Sequence, residues 1–312
     1  VRDERRAPPD LADVGGAWQS RTMVSVGVIF SPYPYPPEDL VDAARAAERA
    51  GVSELWLWED CFRESAFASV SAALAVTSRL RVGIGIAPMP LRNVAATAME
   101  IATLARMFPG RTLPGVGHGV QSWMSQVGAR VASPLTLMRE YVPALRSLLT
   151  GESVTVEGRY VSLDAVRLDW PPSDVPLVYA AAEGPKTLFT AGAVADGVVL
   201  DSRHTVAELA TAIARVRSGR NEAGLEGEPD IVAYAAAAFG PDGLDRVAAQ
   251  WDGDVPSDIA QRAITGTVEQ VADGVRQLAD AGVHHVVLLP PRTEPDLVGY
   301  FEQVAEVTRL VG

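Results

Sequence analysis

The chain is poor in several things, and each shortage excludes something. It has one cysteine, Cys61. An intrachain disulfide is excluded, and that cysteine usage fits a reducing cytoplasm. Its four histidines are His118, His204, His284 and His285. None stands at a ligand-like spacing to Cys61 or to paired carboxylates, so no metal site is expected. No apolar run reaches the length needed to span a bilayer, and no membrane partner is expected. Positive charge is also short, with 27 Lys and Arg against 39 Asp and Glu and a net charge of -12. A surface of that sign argues against nucleic acid and anionic membranes as partners.

What is present is core. Hydrophobic residues make up 48% of 312, and charged residues 21%. That length suits one large domain or two small ones, and the composition excludes global disorder. Residues 1–22, "VRDERRAPPDLADVGGAWQSRT", are charged and rich in Pro and Gly, with neither periodicity nor the apolar centre of a signal peptide. They are expected to be a flexible or peripheral extension, or an arm on a neighbouring subunit. Patterned sequence begins at Met23, and 23–312 reads as a single domain.

Within it, short apolar runs alternate with helical segments. Strands are expected at 23–30, 54–58, 80–87, 111–117, 176–182, 197–200, 231–239 and 284–290. Helical periodicity follows each, with Gly51 and Gly282 as stops and capping boxes at Thr205/Glu208 and Thr267/Gln270. The rhythm breaks once, over 118–175. That segment holds a helix near 134–149, interrupted or restarted near Pro143, and a hairpin turning at Glu157-Gly158. Eight strands that are apolar on both faces, each followed by a helix, indicate a (β/α)8 TIM barrel with an insertion after strand four. An open doubly wound sheet is the alternative. It is disfavoured because "VIFSPYPYPP", not a GxGxxG turn, follows the first strand.

Barrels of this kind work at the C-terminal ends of their strands. Strand two ends in Trp58, Glu59, Asp60 and Cys61. Strand four ends in Gly117, His118 and Gly119, with Gln121 and Trp123 beyond. Glu59, Asp60, Cys61 and His118 are the candidate proton donors, since a buried carboxylate beside an apolar ring can hold its proton. Trp58, Gln121 and Trp123 would wall a substrate pocket, or the tryptophans simply pack. Third-strand "GIGIAP" and fourth-strand "GVGHG" suggest close backbone approach to a flat ring, or tight barrel packing. "EGPKT" opens a helix with a Gly-Pro-Lys turn. It reads as a phosphate site or as an ordinary helix start.

Five segments, "AERAGVSELWLWED", "LRVGIGIAPMPLRNVAATAMEIATLARMFPGR", "GVGHGVQSWMSQVGA", "REYVPALRSLLTGESVTVEGRYVSL" and "GPKTLFTAGAVADGVVL", resemble the bacterial luciferase-like flavin-dependent oxidoreductases. Within that family they resemble the coenzyme F420-dependent, methylenetetrahydromethanopterin reductase-like branch, over about residues 24–310. The resemblance implies a non-prolyl cis peptide at Gly85–Ile86, in a bulge that backs the cofactor ring. It implies that Gly85, Ile86, Ala87, Gly117 and Gly119 approach the ring, and that Glu183, Gly184, Pro185, Lys186 and Ser202 hold its phosphate. It also implies a homodimer. Two positions depart from the family: Asp60-Cys61 replaces a common Asp-His, and Arg92-Asn93-Val94 replaces Arg-His-Pro. The first weighs against oxidation of a sugar phosphate. The activity implied is F420H2-dependent reduction of a C=C or C=N bond in a small molecule. FMN in a luciferase-type monooxygenase, or a barrel without catalysis, are the alternatives.

Overall fold

The computed structural model describes residues 24–251 and 253–312; the expectation for residues 1–22 lies outside them. From the N-terminal side the chain forms β1 (Ser25–Ile29), α1 (Leu40–Ala50), β2 (Glu54–Leu57), α2 (Ala66–Ala75), β3 (Arg81–Pro88), α3 (Val94–Met107) and β4 (Thr112–Gly117). Next come α4 (Gln121–Gln126), α5 (Pro134–Leu149), a hairpin of β5 (Val154–Glu157) and β6 (Ser162–Val166), and β7 (Tyr179–Ala181). The remainder is α6 (Pro185–Val194), β8 (Gly197–Leu200), α7 (Val206–Glu222), β9 (Asp230–Phe239), α8 (Gly243–Ala249), α9 (Ile259–Arg262), β10 (Ala263–Gly266), α10 (Val268–Asp280), β11 (His285–Leu289) and α11 (Leu297–Val311).

The order β1-β2-β3-β4-β7-β8-β9-β11 is parallel throughout, and β11 pairs back onto β1. Closure excludes the open sheet and makes this a (β/α)8 barrel. β10 is additional and pairs only with the last residues of β9. Both capping boxes form.

One local expectation is corrected. Pro143 does not interrupt α5, which runs unbroken through it. A proline costs the helix one backbone bond, but Met138, Tyr141, Val142, Leu145 and Leu148 are buried on either side of it, and that packing outweighs the loss. α5 packs against α3 and α6. It is therefore the helix of the fourth βα unit, and what exceeds a simple connection is α4 and the hairpin. Glu140 of α5 steadies the hairpin turn by accepting the N–H groups of Arg159, Tyr160 and Val161.

The barrel buries apolar side chains on both faces of the sheet. Outside, Val26, Val28, Leu55, Val82 and Ile84 meet the helices. Inside, Ile29, Trp56, Leu113, Tyr179, Val199, Val232, Tyr234 and Val287 form a separate cluster. Below them, the first residues of several strands make a buried polar layer. Glu54, fully buried, accepts from Ser25 Oγ at 2.6 Å, Trp56 Nε1 at 2.9 Å and His285 Nδ1 at 2.7 Å, and it pairs with Arg81. His285 Nε2 donates to Asp230 at 3.1 Å, as does the Tyr179 hydroxyl at 2.9 Å. Both ring nitrogens of His285 face carboxylates, so the ring is an imidazolium.

Burial alone would push the His285 pKa down; Glu54 and Asp230 outweigh it and raise it to about 9 from an ordinary 6.5. The sign follows from linkage. A raised folded-state value stabilises fully below pH 6.5, and that contribution disappears as pH rises through about 9. Denaturant midpoints measured across this range should fall on the alkaline side, and a His285→Gln variant should lose that slope. A wild-type midpoint that stays flat from pH 6 to 10 (about the range where a histidine so placed titrates) would contradict the assignment.

Candidate active site

A cavity of about 580 Å³ opens at the C-terminal ends of the barrel strands. Its apolar side comes from Ile86, Ala181, Val199, Tyr234, Ala236 and Leu289. Gly85 and Gly117, on neighbouring strands, line it together. The register of β3 against β4 shifts between Ile84 and Ala87, and the Gly85–Ile86 peptide is cis. Cys61–Phe62 is a second non-prolyl cis bond.

The glycines of β3 have a packing cause. A Cβ on Gly83 would lie 2.2 Å from the Trp56 indole, and one on Gly85 would lie 1.5 Å from the Tyr234 hydroxyl. That hydroxyl donates to the Gly85 carbonyl at 3.1 Å. Tyr179, Trp56, Tyr234 and Trp58 follow one another up the barrel interior with centroid separations near 6 Å. Large rings from β2 and β9 thus occupy the space that side chains of β3 would otherwise fill. Gly83→Ala should destabilise the barrel by about 3 kcal/mol, the upper part of the range for overpacking, because a buried indole held by Glu54 cannot step aside. Urea unfolding measures this, and a loss under about 0.5 kcal/mol would show that the interior relaxes freely.

The polar side of the cavity centres on Asp60. Its carboxylate accepts the Tyr33 hydroxyl at 2.8 Å. Burial raises the Asp60 pKa, against the opposing pull of Tyr33, Arg63 and Arg292. The guanidinium groups of Arg63 and Arg292 lie 4.0 and 4.4 Å from the centre of the Tyr33 ring. Glu59 also borders the cavity, but its oxygens are committed. Arg92 grips both at 2.6 and 2.8 Å, and the N–H of Ala66, at the start of α2, donates to it at 2.9 Å. His118 Nδ1 lies 2.8 Å from the Gly119 carbonyl, which can only accept. In the neutral ring Nδ1 therefore carries the proton and Nε2 the lone pair.

Of the residues singled out from sequence, Trp58, Glu59, Asp60, Gly85, Ile86, Gly117, His118, Gly119, Gln121, Trp123, Glu183 and Ser202 line the cavity. Cys61, Ala87, Gly184, Pro185 and Lys186 do not. Ala87 is turned into the core. Cys61 lies beside Glu59 and Asp60, and burial followed by those two charges pushes its thiol up. Gly184 caps α6 without a side-chain bond, and Pro185 and Lys186 open that helix on the exposed rim. Lys186 is the chain's only lysine. The nearby Glu183 carboxylate faces Arg203 at 3.5 Å, and Ser202 leans on Asp201.

Residues 19–250 match the profile of a family described as luciferase-like monooxygenase. The chain belongs to this family. Among its relatives, the 5,10-methylenetetrahydromethanopterin reductase of Methanolobus tindarius is 29% identical over 220 residues, which is 70% of this chain and 67% of the reductase. An F420-dependent hydroxymycolic acid dehydrogenase of Mycobacterium tuberculosis is 28% identical over 282 residues, 83% of this chain and 77% of that one. In fold the chain is similar to an F420-dependent secondary alcohol dehydrogenase solved with an F420–acetone adduct. The TM-score is 0.81 at 23% identity, covering 93% of this chain and 99% of that one.

In this luciferase-like barrel, sequence reasoning missed part of the cavity wall. Tyr234, Trp251 and Arg292 line it from β9, the segment after α8 and the segment after β11. Tyr234 had a readable signal, as a bulky side chain set between alanines within its strand. Trp251 and Arg292 had none, because no periodicity places a loop residue.

Proposed function

We propose that this luciferase-like protein is an F420-dependent oxidoreductase that reduces a C=C or C=N bond in a small molecule. The observation that carries the reading is the division of one cavity into an apolar side and a side built on a half-buried, hydrogen-bonded carboxylate, in a chain whose relatives include F420-dependent dehydrogenases. The cavity lies within the usual range of about 300–1,000 Å³ for ligand sites. A planar tricyclic ring would lie on its apolar side, where Gly85, Ile86, Gly117 and Val199 line the cavity. Trp58 Nε1, buried with no acceptor among the described residues, offers such a ligand or its substrate a donor. When bound, the deazaflavin supplies the hydride chemistry.

The remaining roles fall to the chain itself. Asp60 is the residue we assign to deliver the proton that the reduced substrate needs; burial raises its pKa and so shifts it toward the neutral form. His118 is the other donor candidate, with its Nδ1 engaged by the Gly119 carbonyl. Glu59, held by Arg92, fixes the end of β2 so that Asp60 faces the cavity. Across the mouth, the α6 start at Gly184, Pro185 and Lys186, with Ser202, supports a phosphate site. A titration decides the cofactor. F420 should bind with at least about tenfold preference over FMN, read by fluorescence. Equal or stronger binding of FMN would favour the monooxygenase reading instead.

A further inference from the structure

The stretch "FSPYPYPP" carries the chain out of β1 toward α1. Its prolines restrict the backbone, and Pro32 and Pro34 bracket Tyr33. Side chains anchor it further. Phe30 and Tyr35 stack at 5.4 Å, the Tyr35 hydroxyl donates to the Glu294 carbonyl at 3.2 Å, and Ser31 Oγ accepts the Tyr33 N–H at 3.4 Å. From this stiff segment the Tyr33 hydroxyl reaches the end of the next strand and donates to Asp60 Oδ2 at 2.8 Å. Arg63 and Arg292 stack on the same phenol ring, and Arg63 also donates to the Pro32 carbonyl at 3.5 Å. Burial, and then Asp60 itself, raise the Tyr33 pKa above its ordinary 10.0 against the pull of the two guanidinium groups, so the phenol keeps its proton and stays the donor. Asp60 lines the cavity, and among the described residues its Oδ1 makes no hydrogen bond.

We propose that Tyr33 is a positioning residue for proton delivery: it occupies Oδ2 of Asp60, so that the proton rides on Oδ1, and it steadies the carboxylate that remains once the proton has left. The reduced double bond takes a hydride, which reduced F420 supplies, at one end and this proton at the other. The Oδ1–H bond breaks and its electron pair stays on Asp60. A C–H or N–H bond forms with the pair released from the double bond, and solvent returns a proton to Asp60. The inference rests on the oxidoreductase reading for the use of this proton; the coupling of Tyr33 to Asp60 does not need the cofactor. Other groups also face Asp60. Burial raises its pKa, and Tyr33, Arg63 and Arg292 oppose that rise. Glu59 and Cys61 are its chain neighbours, Tyr234 faces it from β9, and His118 borders the same cavity from the end of β4. Glu59 is paired with Arg92, and burial raises both Cys61 and Tyr234, which keeps those two neutral. Among the described residues, only the Tyr33 hydroxyl is hydrogen-bonded to the carboxylate.

Carbon-13 NMR of the aspartate carboxyls in the full chain tests the coupling without cofactor; the Asp60 signal is the one that Asp60→Asn removes. Tyr33→Phe keeps the ring on which the arginines stack and deletes only the donor. That hydrogen bond favours the carboxylate, so its loss should move the Asp60 titration to higher pH. Arg63→Gln, at an exposed residue, keeps the donor and should move the titration the same way by less. Circular dichroism checks the folding of both. In turnover with F420H2, Tyr33→Phe should lower kcat about tenfold on the acidic plateau, where Asp60 is protonated in both proteins, with KM little changed. Its alkaline limb should move to higher pH together with the titration, whereas a purely structural role would lower kcat and leave the limb in place. An Asp60 titration that is unmoved or moves down in folded Tyr33→Phe, a larger shift in Arg63→Gln, an unmoved limb, or a plateau kcat within about twofold of wild type would each overturn the proposal. If the titration moves as stated while the wild type does not turn over F420H2, the oxidoreductase reading fails and the coupling of Tyr33 to Asp60 stands.

Discussion

Glu54→Ala should destabilise the protein by about 3–5 kcal/mol, the cost of removing one partner from a buried ionic cluster. The change would leave the His285 imidazolium and Arg81 facing each other across the barrel floor. It would also deprive the Trp56 indole N–H and the Ser25 hydroxyl of their acceptor. Burial pushes the Glu54 carboxyl up, but His285, Arg81 and Ser25 more than reverse this and hold it far below the usual carboxylate range. Its contribution is therefore complete above pH 4.5, the ordinary glutamate value, and disappears only as pH falls through the depressed one. Together with His285, the layer stabilises most between about pH 4.5 and 6.5. Urea unfolding of Glu54→Ala measures the loss. A Glu54→Gln variant adds a second readout, because the His285 ring should titrate well below 9 once its main counter-charge is gone. A loss under about 1 kcal/mol would mean that water or relaxation replaces the carboxylate.

Asp60→Asn should lower kcat for reduction by about 10²–10⁴-fold, the usual contribution of a positioned general acid, with a small change in KM. Asparagine keeps the shape and can still accept from Tyr33, but it has no proton to give. In the wild-type protein the acid must be protonated to act. Reduction should therefore slow as pH rises through the Asp60 value, which burial sets above the ordinary one. The variant should lose that limb of the profile. A kcat within about threefold of wild type would remove Asp60 from the role and leave His118 or solvent as the donor.

The barrel was legible because its signals are local and repeated. Runs such as "LRVGIGIA" and "HHVVLLP", and stops such as Gly51 and Gly282, need no knowledge of distant neighbours. The cavity was legible where it hangs on strand ends, as at Trp58, Glu59, Asp60 and His118. Three features were not, each for a physical reason. The glycines of β3 are explained by Trp56 and Tyr234, which lie 27–29 and 149 residues away in sequence and meet them only when the barrel closes. Glu54, Arg81, Asp230 and His285 each read as an isolated polar residue at a strand start; closure makes them one cluster. Pro143 signals a break by itself, yet the helix around it is held by tertiary burial that no local rule contains.

The most direct measurement of the central claim is an anaerobic one. F420H2 is supplied with candidate unsaturated or imine substrates, and the return of oxidised F420 absorbance is followed. The account predicts turnover that needs no oxygen and falls sharply in Asp60→Asn. Turnover with FMNH2 and oxygen, and none with F420H2, would contradict it.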